Sequence, residues 1–224
     1  MEGIANRLHR RTFEDGFEIR TSYHADKAVS NKMDLRAEGD PEKEMHLKCY
    51  FAVFGSEYVI WDDPQGKYYE TIDRHAFDDT LTEDVRALIN HNADLCIGRT
   101  TAKTLTLGVD DHGLFGDILI NRFDQDAVNL WHRVKRRDVT GNSMGFFILD
   151  SVTEHRTDED GREIIHRTLM KILLVEVSPC TFPAYEDTSA DAEERKAQRD
   201  QKIRDWGLEM IRRLSRKKEE TNGT

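Results

Sequence analysis

Two apolar runs joined by a charged loop stand out in the sequence: SMGFFILDSV (Ser143–Val152), RTDEDGRE (Arg156–Glu163) and IIHRTLMKILLVEVS (Ile164–Ser178). Both runs are rich in β-branched and aromatic residues, and the loop between them contains a glycine among charged side chains. Apolar runs of this kind, separated by a short polar segment with glycine, are typical of paired strands. The pattern predicts a β-hairpin with a polar tip, and the sequence supplies further strands upstream of it.

The upstream half of the chain alternates short apolar runs with turn residues. The strand-like runs are LKCYFAVFG (Leu47–Gly55), YYETI (Tyr68–Ile72), VRALINH (Val85–His91), AKTLTLGV (Ala102–Val109) and LFGDILI (Leu114–Ile120). The last two flank DDHG, where Gly113 would permit a tight hairpin turn. One segment, Asp124–Asp138, has clear helical spacing with acids first and bases last, and Asp73 begins a shorter helical turn. Because strands outnumber helices, we predict a mainly β fold with helices (α+β), arranged as an antiparallel sheet or barrel.

The two ends of the chain differ from its centre. Residues 1–45 are polar and predict a flexible N-terminal segment, residues 46–188 form the predicted main domain, and residues 189–224 form a charged helix or tail. Within this tail, Ile203, Trp206, Met210 and Leu214 share one helical stripe. We favour packing of that stripe on the domain; the alternative is a separable segment that docks on a partner or is cut away.

Composition excludes several classes of protein. A formal net charge of -10 over 224 residues argues against a general nucleic-acid binder, which would carry a basic face. Three widely spaced cysteines do not suggest a disulfide framework and fit a reducing compartment. No stretch has the apolar length of a membrane span or the pattern of a signal peptide. We therefore expect a soluble, cytoplasmic protein without a membrane partner.

Ser143 is the first candidate for a chemical role. A serine that follows Gly-Asn is most often a turn residue whose hydroxyl bonds nearby backbone. Here Gly141 and Gly145 flank it, so that a substrate carbonyl could approach closely. Backbone N–H groups near such a serine could stabilise an oxyanion, and those near Gly98 and Arg99 are further candidates.

Two more residues could complete a site with Ser143. If VRALINH is a strand, His91 points to the same face as Ile89, and an imidazole at a strand end can act as a general base. Glu176 interrupts an apolar run, where it shares a face with Leu174 and needs either solvent or a partner. A hydroxyl, an imidazole and a carboxylate are the parts of a serine-hydrolase triad, but composition does not show that they meet.

The order of the central motifs resembles that of the prohead protease family of tailed bacteriophages. The matching stretches are YFAVFGSEY, YYETIDRHAF, VRALINHNADLCIGRTTAKTLTLGVDDHGLFGDILI, RRDVTGNSMGFFI and LLVEVSPCTFPAYEDT, and the resemblance covers Leu47–Thr188. It implies that Ser143, in the S-x-G-F motif, is the nucleophile and that His91, in the NH motif, is the general base. Glu176 in the EVS strand corresponds to the residue that orients the histidine.

The resemblance also implies a fold and a role. The fold would be a β-barrel surrounded by helices, similar to herpesvirus assemblin, with a homodimer suggested by the same analogy. The role would be a serine endopeptidase that cleaves the major capsid protein precursor and the scaffold protein, and also itself. It would act in the host cytoplasm, inside the immature capsid (the prohead), and it implies no metal and no cofactor.

Two other interpretations compete with the serine peptidase. One is a cysteine or metal enzyme built around His91, Cys96 and Cys180, although the His-x4-Cys spacing lacks the paired close ligands of an ordinary zinc site. The other is a non-enzymatic capsid assembly or scaffolding protein, in which Ser143 is a plain turn residue and the basic tail serves docking.

Overall fold

The computed structural model describes residues 11–12, 17–21, 35–181 and 201–216. The strands in these parts are β1 (Arg11–Thr12), β2 (Phe17–Thr21), β3 (Arg36–Gly39), β4 (Met45–Val53), β5 (Tyr58–Asp63), β6 (Gly66–Ile72), β7 (Arg86–Ile89), β8 (Asn92–Arg99), β9 (Leu105–Val109), β10 (Gly113–Leu119), β11 (Gly141–Thr157) and β12 (Glu163–Cys180). The helices are α1 (Gln125–Lys135) and α2 (residues 201–216). The prediction of a mainly β fold with helices is confirmed.

The predicted hairpin forms the centre of the larger sheet. β11 and β12 pair antiparallel along their whole length, and the sheet continues in the order β1-β2-β11-β12-β6-β5. β6 pairs parallel with the first half of β12, from Glu163 to Leu169, whereas β7 pairs parallel with Glu176 and Val177 near its end. β8 then pairs with β7. This branching brings the end of β7 beside the second half of β12.

A smaller sheet has the strand order β3-β4-β10-β9. The predicted hairpin between β9 and β10 is confirmed, and the Asp110 carboxylate accepts the N–H groups of His112 and Gly113 at its turn. Gly113 is required for space, because a Cβ there would lie 2.0 Å from the carbonyl oxygen of Ala52 on β4. The glycine therefore permits close approach of two strands, and its backbone φ is not in the left-handed region.

A closed barrel is not formed by the described strands. The larger sheet ends at β1 and β5, and the smaller one ends at β3 and β9, so both sheets are open. β7 and β8 branch from β12 and do not extend the sheet toward its other edge, which is why no strand joins the two ends. The barrel prediction is wrong for this part of the chain, and the relation to herpesvirus assemblin stays a prediction.

One large core lies between the two sheets and α1. The predicted helix is confirmed: Asp124 caps its N-terminus by accepting two backbone N–H groups. Leu130, Trp131 and Val134 on its inner face are buried. The Trp131 indole N–H donates to the carbonyl oxygens of Glu38 and His46, each at 3.1 Å, which attaches the helix to β3 and β4.

α2 packs on the larger sheet through a second, smaller core. The buried members of this core are Leu88, Phe147, Leu173, Val175, Ile203 and Met210. Trp206 lies at its margin, where the Arg86 guanidinium is 3.9 Å from the centre of the indole ring. The favoured interpretation, in which the apolar stripe of the tail packs on the domain, is confirmed for this helix.

Strands from the first 45 residues take part in both sheets. β2 pairs with β11 and β3 pairs with β4. The division of the chain into 1–45, 46–188 and 189–224 stays a prediction, and residues 182–200 and 217–224 lie outside the described part. Neither described helix is long and apolar enough to cross a membrane.

Candidate active site

His91 lies in a turn, not on a strand as predicted. β7 ends at Ile89, and both Asn90 and His91 have left-handed backbone, with φ of 51° and 58°. Asparagine and histidine accept this conformation more readily than most residues, but two in succession need support from their surroundings. The support comes from the end of β12: the Asn90 N–H donates to the carbonyl oxygen of Pro179 at 3.1 Å, and the His91 N–H donates to Ser178 Oγ at 3.2 Å.

The turn directs the imidazole of His91 at Glu176. Nδ1 of His91 lies 2.6 Å from Oε1 of Glu176, and the carboxylate is almost fully buried, at 1% exposure. Because the carboxylate only accepts, Nδ1 carries the proton and Nε2 is left as the basic nitrogen of the neutral ring. Among the residues that the structure describes, Nε2 is buried and has no hydrogen-bond partner. The carboxylate therefore fixes both the orientation and the tautomer of the imidazole.

The environment of His91 favours its protonated form. Burial by itself lowers the pKa of this imidazole, but the Glu176 carboxylate and the nearby Cys180 side chain raise it, and the net pKa lies well above the ordinary value. We attribute the net direction to Glu176, because a buried carboxylate in direct contact strongly stabilises an imidazolium. Once deprotonated, such an imidazole has a high affinity for a proton, which suits it to taking one from an alcohol.

The alternation of the strand predicts that Glu176 shares a face with Leu174. In the structure it does not. The register between β11 and β12 shifts here: Gly145 pairs with Glu176, but the next residue of β11 pairs with Leu174. Leu174 and Val177 contribute to the large core, whereas Val175 contributes to the small core beneath α2. This bulge turns Glu176 away from the large core, toward the side on which His91 lies.

Ser143 lies on the strand next to the His91–Glu176 pair. Its Cα is paired with Ser178 on β12 and with Thr21 on β2, so it is a strand residue and not a turn residue. Directly opposed residues of antiparallel strands share a face, and residues two apart on a strand share it as well. Ser143 therefore projects from the same face as Glu176, Ser178 and Cys180, and it is fully buried.

The predicted oxyanion donors near Arg99 are engaged elsewhere. The Arg99 backbone N–H donates to Thr104 Oγ1 at 3.0 Å, and its guanidinium binds the Asp84 carboxylate through Nε and Nη2. The hydrogen bonds from Arg99 hold the pKa of Asp84 below its ordinary value. This cluster stabilises the loop between β8 and β9, and the Arg99 prediction is wrong for the backbone N–H.

Sequence reasoning missed Ser178 and considered Cys180 only within an alternative. Both lie on the same face of β12 as Glu176, because EVSPC places Glu176, Ser178 and Cys180 at every second position of a strand, a signal present in the sequence. Cys96 is exposed on β8, where its Sγ contacts the carbonyl oxygen of Gly98. The described residues contain no group of histidine, cysteine and acidic side chains suited to a metal ion.

The order of motifs and the geometry can be compared with known proteins. A sequence model of the caudovirus prohead serine protease matches residues 31–203. The chain belongs to this family. The match includes Ser143, His91 and Glu176, and it begins after β2, so the strand that pairs with β11 beside Ser143 precedes it. Membership indicates a serine peptidase of phage capsid maturation. Searches of curated proteins and of solved structures found no match.

Proposed function

We propose that this chain is a serine endopeptidase in which Ser143 is the nucleophile, His91 the general base and Glu176 the residue that orients the imidazole. The observation that carries the proposal is the 2.6 Å contact between His91 Nδ1 and Glu176 Oε1. Glu176 lies on β12, which pairs with β11, the strand that carries Ser143. The contact leaves Nε2 as the basic nitrogen. Family membership supports the same chemistry.

The roles follow from the acidity of each group. An alcohol is too weak an acid to attack unaided, so Nε2 of His91 takes the Ser143 proton as Oγ bonds to the carbonyl carbon. The imidazolium that forms is stabilised by Glu176, and it then gives its proton to the leaving amine as the C–N bond breaks. Water then attacks the acyl ester: Nε2 of His91 takes a proton from the water, and the imidazolium returns it to Ser143 Oγ as the ester C–O bond breaks. Because Ser143 is buried, the site has to open locally before a peptide binds.

For substrates we propose the major capsid protein precursor and the scaffold protein, cleaved inside the prohead in the host cytoplasm. The support is the family description, which names a prohead protease. Self-cleavage and a homodimer are part of the same proposal and depend on it.

Labelling with a fluorophosphonate tests the nucleophile without knowledge of the cleavage site. We expect slow labelling that mass spectrometry assigns to Ser143, and its loss in Ser143→Ala. Ser151→Ala is the matched control, since Ser151 lies on the same strand but opposite Leu169, far from Glu176. If Ser143→Ala still processes co-expressed capsid precursor at the normal rate, Ser143 is not the nucleophile and the serine peptidase proposal is wrong. Absence of processing by the wild-type chain would instead support the non-enzymatic scaffolding alternative.

A cysteine peptidase is the second candidate, because the Cys180 side chain interacts with His91 and lies on the same face of β12 as Glu176. In that mechanism Cys180 would attack the carbonyl and Ser143 would not. The two candidates differ in one measurement: Cys180→Ala would abolish cleavage while Ser143→Ala would leave it intact. We expect the opposite order of importance, because the family is one of serine peptidases.

A further inference from the structure

Ser178 occupies the position between the proposed nucleophile and the proposed base. It is fully buried on β12, two residues beyond Glu176 and directly opposite Ser143 on β11. A peptide substrate therefore cannot contact it without rearrangement of the sheet. Any influence on the reaction has to pass through the groups that it touches.

The hydroxyl of Ser178 contacts both parts of the base. It donates to Oε2 of Glu176 at 2.5 Å, while Oε1 of the same carboxylate holds Nδ1 of His91. It also accepts the backbone N–H of His91 at 3.2 Å. The hydrogen bonds form a closed ring that joins the backbone of His91, Ser178, the Glu176 carboxylate and the ring of His91.

Only a side chain that donates and accepts at one atom can close this ring. A hydroxyl can do both, whereas a carboxylate only accepts, an ammonium only donates and an alanine does neither. The ring supports His91 in its left-handed backbone conformation, where the sheet no longer provides a partner for the N–H. It also leaves the Glu176 carboxylate no freedom to rotate away from the imidazole.

We propose that Ser178 is a positioning residue of the active site, which fixes the Glu176 carboxylate and the backbone of His91 for the reaction at Ser143. This inference rests on the proposed function. It adds a fourth side chain to the three that the sequence indicated, and one that acts without touching substrate.

Loss of the hydroxyl has a defined chemical consequence. In Ser178→Ala the buried carboxylate loses a donor that stabilises its charge, so the proton affinity of the His91–Glu176 pair increases. Less of the imidazole is then neutral at a given pH, and the acid limb of kcat/KM moves to higher pH. We expect the rate of fluorophosphonate labelling to fall by about 10- to 100-fold, the range found when hydrogen-bond partners that orient metal ligands are removed.

The experiment compares Ser178→Ala with two further variants at that position. Ser178→Thr keeps the hydroxyl and is expected to restore the position of the acid limb. Ser178→Cys keeps the size of the side chain but donates a hydrogen bond only weakly, so its acid limb is expected between those of wild type and Ser178→Ala. It replaces Ser178→Ala in the comparison if the alanine variant does not fold. Fluorophosphonate labelling rates between pH 5 and 9 supply the activity profile.

A second readout does not depend on activity. In a Ser143→Ala background, the titration of His91 is followed by NMR of the ring nitrogens, and Ser178→Ala is expected to move it to higher pH. The matched control is Thr80→Val, since the buried Thr80 hydroxyl accepts the N–H of Leu174 on the same strand at 2.8 Å but touches neither His91 nor Glu176. Thr80→Val is expected to lower the stability of the protein without moving the titration of His91.

The outcomes separate the two proposals. If Ser178→Ala leaves both the acid limb and the His91 titration where they are in wild type, or if Thr80→Val moves them equally, Ser178 has only a structural role. If the titration moves as expected but Ser143→Ala retains full peptidase activity, the positioning inference holds and the proposed nucleophile is wrong.

Discussion

At the scale of single residues, the candidate site depends on a turn whose left-handed backbone conformation few residue types adopt readily. Asn90 and His91 are both left-handed, and their N–H groups are held by Pro179 and Ser178 at the end of β12. Because of this turn, the imidazole points at Glu176 and does not continue the face of β7. The chemistry of His91 is therefore created by backbone conformation together with a buried carboxylate.

Replacing the Glu176 carboxylate tests how strongly it affects the protonation of His91. Glu176→Gln removes the charge that raises the pKa of His91, so the acid limb of kcat/KM should move to lower pH. We expect kcat to fall less than in Ser143→Ala or His91→Ala, each of which should cost about a thousand-fold or more. Steady-state kinetics from pH 5 to 9 measure both effects, and a profile that stays in place would remove Glu176 from the site.

A structural control is available for this substitution. Glu70 is a second buried glutamate, paired with Arg167 across β6 and β12. Glu70→Gln breaks a buried ion pair and should lower the free energy of unfolding by roughly 3 kcal/mol or more. It should leave the acid limb unchanged, because the pair is remote from His91.

The raised pKa of His91 also makes stability depend on pH. A histidine whose pKa is higher in the folded state binds its proton more tightly there, so its contribution to stability is complete below the ordinary histidine pKa. The contribution is lost as pH rises through the folded pKa. Urea unfolding of Ser143→Ala at several pH values should show this decline, and His91→Gln in the same background should abolish it, whereas His166→Gln should not.

At the scale of elements, α2 packs on β11 and β12, the strands that carry Ser143 and Glu176. Glu176 lines a pocket of about 230 Å³ together with Ile203 and Trp206 of α2. The helix approaches the sheet closely at Gly207, where a Cβ would lie 2.3 Å from Phe147 Cε2 and 3.0 Å from Val175 Cγ2. Small size, and not backbone freedom, is what this helical glycine contributes.

Gly207→Ala tests the close approach. Alanine normally favours a helix, but here its methyl group would clash, and overpacking of this kind costs about 1–3 kcal/mol. We expect faster amide exchange in α2 and a lower melting temperature. The control is Ser215→Ala at an exposed position of the same helix, which should be neutral or slightly stabilising. Unchanged exchange in Gly207→Ala would contradict the observed packing of α2.

At the scale of the whole molecule, the fold divides the three cysteines by exposure. Cys49 lies in the large core and Cys180 on the same face of β12 as Glu176, both buried, whereas Cys96 is exposed on β8. None of the three forms a disulfide within the part of the chain that the structure describes. Accessibility of these thiols therefore reports on the integrity of both core and site.

We expect one thiol to react rapidly with a disulfide reagent in the native protein, and three after unfolding in denaturant. The rapid reaction should be absent in Cys96→Ser, and modification of Cys96 should leave fluorophosphonate labelling of Ser143 intact. Rapid native reaction of a second thiol would contradict the burial of Cys49 and Cys180. Loss of Ser143 labelling on modification of Cys96 would favour the cysteine-enzyme alternative.

Local pattern by itself determined the elements whose signals are short-range. The alternation and turn residues of β11–β12 and β9–β10 identify both hairpins, and helical spacing with acids first and bases last identifies α1. The stripe of α2 identifies its packing face for the same reason. The glycines around Ser143, the apolar run interrupted by Glu176 and the strand pattern before His91 indicated these three residues as candidates. β8, a half-exposed strand of mixed polarity, was not predicted.

Only the tertiary structure decided how these elements meet. Whether two sheets close into a barrel depends on which strands pair at their edges, and the parallel pairing of β7 with β12 joins residues some ninety positions apart. The turn at His91, the bulge that redirects Glu176 and the ring closed by Ser178 each arise from contacts between distant segments. Local sequence carries no record of such register, because a shift of one residue exchanges the faces of a strand without changing its composition.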